Sequence, residues 1–135
     1  MKFWYVVQYA STDNLDVDSG ITCLWPTEEE AQQELECRAV NITYRLLGTR
    51  GYFDALFGRI DKEAGDYAYI VRLFKEHWGI ENVFDESFID DRMREIIRQQ
   101  NDTVTCAQAK AVNYVSAILE VDTVYVGRMA QCLGT

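Results

Sequence analysis

Apolar residues along this chain recur with two periods, and the change from one to the other marks the elements. Phe3 to Tyr9 is aromatic and β-branched nearly throughout, which predicts a central strand covered on both faces. Ala10 to Ser19 is a polar loop holding Asp13, Asp16 and Asp18, and Ile21 to Trp25 reads as a second strand, hairpin-paired with the first. The loop is longer than a tight hairpin needs. Pro26 closes the second strand. Thr27, followed three residues later by Glu30, then predicts the capped start of a helix. Ala31, Leu35, Ala39, Ile42 and Leu46 continue it at helical spacing, with Gly48 as the stop.

The middle of the chain keeps the helical period. Phe53, Leu56, Phe57, Ile60 and Ala64 form one stripe. Tyr67, Ile70, Val71, Phe74 and Trp78 form a second, with Asp66 as its expected cap and Gly79 behind it. Ile89, Met93, Ile96 and Ile97 form a third, with Asp90 and Arg94 expected to pair on the wet side. Thr105 and Gln108 have capping-box spacing ahead of Ala111, Val112, Val115, Ile118 and Leu119. Thr123 to Ala130 returns to alternation, with Val124 and Val126 on one face. The order predicts one helix-dominant α+β domain over residues 1–135. It has a small three-stranded sheet, two strands N-terminal and one C-terminal, packed by about five helices.

Length and composition agree with this reading. A chain of 135 residues with 48% apolar content has enough material for a buried core. A single proline and no stretch rich in Gly or Ser argue against flexible linkers.

Charge adds information about partners. Thirteen basic and 22 acidic residues give a net charge of -9. Such a field disfavours direct contact with nucleic acid or anionic membrane and favours a basic protein. The distribution is uneven. Residues 1–36 hold one lysine and eight acids, a net of -7, and residues 37–50 carry +3. Residues 81–101 hold six acids against three arginines, a net of -3.

Candidate chemistry mostly fails on spacing. Asn14, Asp16 and Asp18 open like a calcium loop, but Ser19 and Trp25 stand where a glycine and a bidentate glutamate are needed. Cys23, Cys37, Cys106 and Cys132 include no close-set pair for zinc. The apolar run Phe3–Val7 is too short for a secretory core. The cysteines are therefore expected as reduced, mostly buried thiols in a cytoplasmic protein. His77, the single histidine, has no nucleophile elbow in the sequence and suits a helix C-terminus. Gly48, Gly51 and Gly58 make no phosphate loop. No cofactor or metal is expected.

Two functional classes follow. The first is a protein-binding inhibitor or regulator whose acidic surface meets a basic, nucleic-acid-binding partner. Its expected contact residues are Asp13, Asp16, Asp18, Glu28 and Glu29, with a second patch at Asp85, Asp90 and Asp91. If those acids serve solubility alone, an exposed aromatic patch with Trp25 or Trp78 as anchor is expected in their place. In size, acidity and lack of enzymatic motifs the chain resembles the small acidic proteins of bacteriophages and mobile elements, anti-CRISPR inhibitors among them. A homodimer is compatible with this reading. The second class is a small enzyme or small-molecule-binding module with a pocket between helices and sheet. The weight falls on the first.

Overall fold

The computed structural model describes residues 2–10 and 20–131. Strands β1 (Phe3–Ala10) and β2 (Gly20–Trp25) precede five helices: α1 (Glu28–Leu47), α2 (Tyr52–Gly58), α3 (Tyr67–Trp78), α4 (Ile89–Gln99) and α5 (Cys106–Ile118). Strand β3 (Thr123–Ala130) follows. The sheet is antiparallel in the order β2-β1-β3, so the most apolar strand is central, as its composition predicts. Pairing of β1 with β3 is regular from Phe3↔Ala130 to Ala10↔Thr123, whereas the β1–β2 register shifts between Val6 and Gln8.

The two faces of β1 differ. Tyr5 and Val7 join Trp25, Val124 and Val126 in the core shared with the helices. Successive strand side chains alternate between faces, so Val6 points the other way, beside Leu24 and Gly127 of the flanking strands. Val6 is nevertheless buried, while Trp4 and Gln8 are half-buried and Leu24 and Met129 are exposed. The continuous apolarity of β1 thus reflects two buried central positions, of which Val7 belongs to the helical core and Val6 lies outside it.

The capping signals produce the expected geometry. Thr27 Oγ1 accepts from Glu30 N at 3.3 Å and donates to Glu30 Oε2 at 3.0 Å. Thr105 and Gln108 form a reciprocal box at 3.0 and 3.1 Å. Gln108 also donates to the His77 carbonyl and to Gln100, joining α5 to the ends of α3 and α4. Gly79 ends α3 in the left-handed conformation (φ 67°) that favours glycine. Asn113 of α5 holds β3 through Val124 N, Val124 O and Thr123 Oγ1, all within 3.0 Å. Tyr44 of α1 latches the α4–α5 loop, donating to the Asp102 carbonyl and accepting from Val104 N.

Several local expectations are corrected. The stripe through Ala64 stops being helical at Gly58. Asp61 instead accepts from Glu63 N at 2.9 Å in an Asx turn, which competes with helix continuation. Asp66 makes no capping bond to α3 and accepts the Tyr114 hydroxyl at 2.8 Å. Cys23, Cys37 and Cys106 are free, but they are exposed rather than buried; Cys132 lies outside the described residues.

The Tyr114–Asp66 bond has a pH consequence. Hydrogen bonding to Asp66, reinforced by burial and by the nearby carboxylate charge, holds the Tyr114 phenol above its ordinary value. A raised folded value means that the bond stabilises the fold below the normal tyrosine range, and that this contribution fades as pH rises through the raised value. Tyr114→Phe should remove a component that titrates above the ordinary tyrosine range from the phenolate absorbance curve of the folded protein. Its stability deficit of about 0.5–1.5 kcal/mol at neutral pH should shrink in alkali. An unchanged titration curve would contradict the assignment.

Candidate functional site

The carboxylates expected to meet a partner separate into three groups. Asp13, Asp16 and Asp18 lie outside the described residues. Glu28 and Glu29 open α1, are exposed, and make no hydrogen bond or ion pair among the described residues. They border a shallow depression of about 330 Å³ together with Gln32, Gln33 and Glu36. Glu36 is committed elsewhere, to Lys110 at 2.8 Å.

The second patch sits towards the other end of α1. Twenty residues at about 1.5 Å rise make that helix roughly 30 Å long. Arg94 of α4 donates to the carbonyl of Leu47, the last residue of α1, at 2.6 Å. Asp91 pairs with the same arginine at 3.2 Å. Asp85 accepts from Asn82 Nδ2 at 2.8 Å and lies 3.9 Å from Lys62 Nζ. Asp85 and Asp91 are exposed, so their carboxylates remain open to a partner. The two acidic regions are therefore separate surfaces.

Asp90 is a correction. It is only 3% exposed, and its Oδ1 accepts from Phe53 N at 2.8 Å, so it faces α2 instead of solvent or Arg94. Asp54 of α2 returns the arrangement by accepting from Ile89 N at 2.8 Å. Each helix thus lends a carboxylate to a free N–H in the first turn of the other, where the helix dipole also favours negative charge. The two acids lock α2 to α4, and Asp90 is unavailable to a partner.

The aromatic anchors are corrected as well. Trp78 is buried, stacks on Phe74 with ring centroids 6.2 Å apart, and donates its indole N–H to the Gln108 carbonyl at 3.1 Å. Trp25 is half-buried against the core. Among the described residues the most exposed aromatic side chain is Phe88, 68% exposed at the start of α4, ahead of Tyr125 at 49%. It falls between two apolar stripes, which gave it no role in the periodic pattern.

Perturbed ionisation follows local pairing. Hydrogen bonds from Arg98 hold the Glu95 carboxyl below the usual carboxylate range, and Glu95 in turn raises the guanidinium. Neither group lines a described cavity. Among the described residues no group of three or more His, Cys, Asp or Glu side chains could hold a metal ion, and no helix is long and apolar enough to cross a membrane.

The fold defines the chain as a helix-dominant α+β domain in which Glu28 and Glu29, at the start of α1, have no partner among the described residues, and Phe88 is exposed at the start of α4. Comparison with protein-family models, curated proteins and solved structures finds no match.

Proposed function

We propose that this chain is a protein-binding inhibitor or regulator whose acidic surface docks on a basic, nucleic-acid-binding protein, in the manner of the phage and mobile-element anti-defence proteins whose size and acidity it shares. The observation that carries the reading is that the carboxylates of Glu28 and Glu29 have no partner among the described residues. One or two acids satisfy the dipole of a helix N-terminus, at roughly 0.3–1 kcal/mol each. The first turn of α1 has three, and Asp13, Asp16 and Asp18 precede it in the sequence. Acids beyond the needs of the fold raise the rate at which a basic partner is captured and set its orientation. The exposed thiols of Cys23, Cys37 and Cys106 suit a reducing, cytoplasmic setting.

The test is affinity capture from bacterial lysate with identification by mass spectrometry, repeated at low and high salt. A basic protein is the expected catch. Asp13→Lys, Asp16→Lys and Asp18→Lys together, with Glu28→Gln and Glu29→Gln, should leave the circular dichroism of the fold in place. Association should slow by about tenfold or more at low ionic strength, and the difference should narrow as salt rises. Capture indifferent to both the substitutions and the salt would make the acids solubilising groups and end this reading.

A further inference from the structure

We propose that the cavity beside Phe88 receives an arginine side chain of the basic partner, with Phe88 as its aromatic platform; the inference rests on the acidic-surface reading and gives it a specific contact. A cavity of about 390 Å³ opens between α2 and the segment leading into α4. Its apolar lining comes from Phe57, Ile60, Val83 and Phe84, and Glu86 and Phe88 are exposed members of the same lining. Phe84 is held in place by stacking on Tyr67 at 4.3 Å and by an edge-on contact with Phe57 at 5.9 Å. The pocket is thus built on fixed aromatic rings.

Phe88 is the unusual residue. Its backbone is left-handed (φ 64°, ψ 42°). A bulky side chain adopts that region at a cost that glycine avoids and asparagine largely avoids. The reciprocal Asp54–Ile89 and Phe53–Asp90 bonds account for the sharp entry of the chain into α4. They do not account for phenylalanine, because the ring is 68% exposed and is not among the side chains of the core. Folding alone would be served better by Gly. Strained backbone carrying an exposed aromatic is the pattern of a binding contact, since aromatic anchors supply much of the energy of protein interfaces.

The surroundings select the occupant. Glu81, Asp85, Glu86, Asp90 and Asp91 fall within residues 81–91 without a single basic residue. Asp90 is turned inward, and Glu86 has no hydrogen bond or ion pair among the described residues. Lys62 of the chain itself also lines the cavity, with its ammonium 3.9 Å from Asp85, so this rim already accommodates a cation. An arginine fits the open part of this site. Its methylene stem suits the apolar lining, its planar guanidinium stacks on an aromatic face, and its charge meets the lining carboxylate of Glu86, while Lys62 is held by Asp85.

The test uses the full chain, ¹⁵N-labelled, and two probes: the capped peptide acetyl-Ala-Arg-Ala-Arg-Ala amide and the same peptide with citrulline, the neutral isostere, in place of arginine. The arginine peptide should shift the amides of Gly58, Phe84, Ser87 and Phe88, and the citrulline peptide should bind about tenfold more weakly or not at all. Phe88→Gly should weaken the arginine peptide by about tenfold. It should also raise Tm by about 2–4 °C, because it relieves the left-handed backbone. A lower Tm would assign Phe88 to folding and overturn the inference, as would equal binding of the two peptides or an unchanged affinity in Phe88→Gly. Shifts centred on Glu28 and Glu29 instead of Phe88 would overturn it while leaving the acidic-surface reading in place. Charge-insensitive capture in the lysate experiment would remove that reading independently.

Discussion

Trp78→Ala should cost roughly 3–5 kcal/mol of stability, the range for truncating a large buried aromatic. A domain of this size is typically stable by only about 5–15 kcal/mol, so the variant should melt far below the parent and populate unfolded chains at 37 °C. Two losses combine. The side chain is 2% exposed, at the last residue of α3, and its removal opens a cavity against Phe74 and the rest of the core. The Gln108 carbonyl also loses the indole N–H that it accepts at 3.1 Å. Trp78→Phe separates the two, since it keeps most of the ring volume and removes the donor. Its deficit should be well under that of the alanine variant, with about 1 kcal/mol of it due to the lost hydrogen bond. Chemical denaturation of both variants at neutral pH measures this. An alanine variant within 1 kcal/mol of the parent would mean that the α3–α5 junction contributes little to the fold.

Trp78 also illustrates what could and could not be read in the sequence. Its place at the end of an apolar stripe, directly before Gly79, marked it as helical and core-facing. A surface anchor at Trp78 conflicts with that marking, and the buried, stacked indole follows the marking. Elements set by local chemistry are legible in this way. Thr27 with Glu30, Thr105 with Gln108, and the β-branched run of β1 each depend on neighbours within four residues or on a simple period.

Asp90 shows a signal that was present but outweighed. It stands three residues before Met93 and seven before Ile97, so helical geometry puts it on the buried stripe of α4. Its neighbour Asp91 made the pair look like a solvated charge run, which is the ordinary meaning of consecutive acids. The reason a carboxylate can be buried there is the Phe53 N–H, thirty-seven residues away in sequence, and no local pattern announces that pairing. Phe88 was hidden for a related reason. A positive φ at a non-glycine residue follows from the tertiary lock between α2 and α4, while sequence rules place glycine or asparagine at such positions. The exposed cysteines likewise depend on which way each helix or strand face turns.

The sheet carries the other large expected effect. Val7→Asp should abolish folding, because Val7 is fully buried in the cluster that joins β1 to the helices, and no cation of that cluster could pair with the new carboxylate. An unpaired buried charge is among the most costly single substitutions, and the group would fold only by taking up a proton. Val6→Asp is the more discriminating variant. Val6 is only 1% exposed but faces away from the helical core, with Leu24 and Gly127 as its register partners on either side. Being central, β1 pairs along both edges, so a disturbance at Val6 reaches both ladders. The structure therefore predicts that Val6→Asp also fails to fold at neutral pH and regains some structure in mild acid, as the new carboxyl is neutralised. Val6→Thr, close in shape but with a hydroxyl, should lose about 1–3 kcal/mol for the buried polar group. Circular dichroism and thermal melts of the three variants across pH 4–8 give the comparison. If Val6→Asp melts like the parent while Val7→Asp does not fold, then the outer face of β1 admits water around Val6, and the covering of this strand is one-sided in solution.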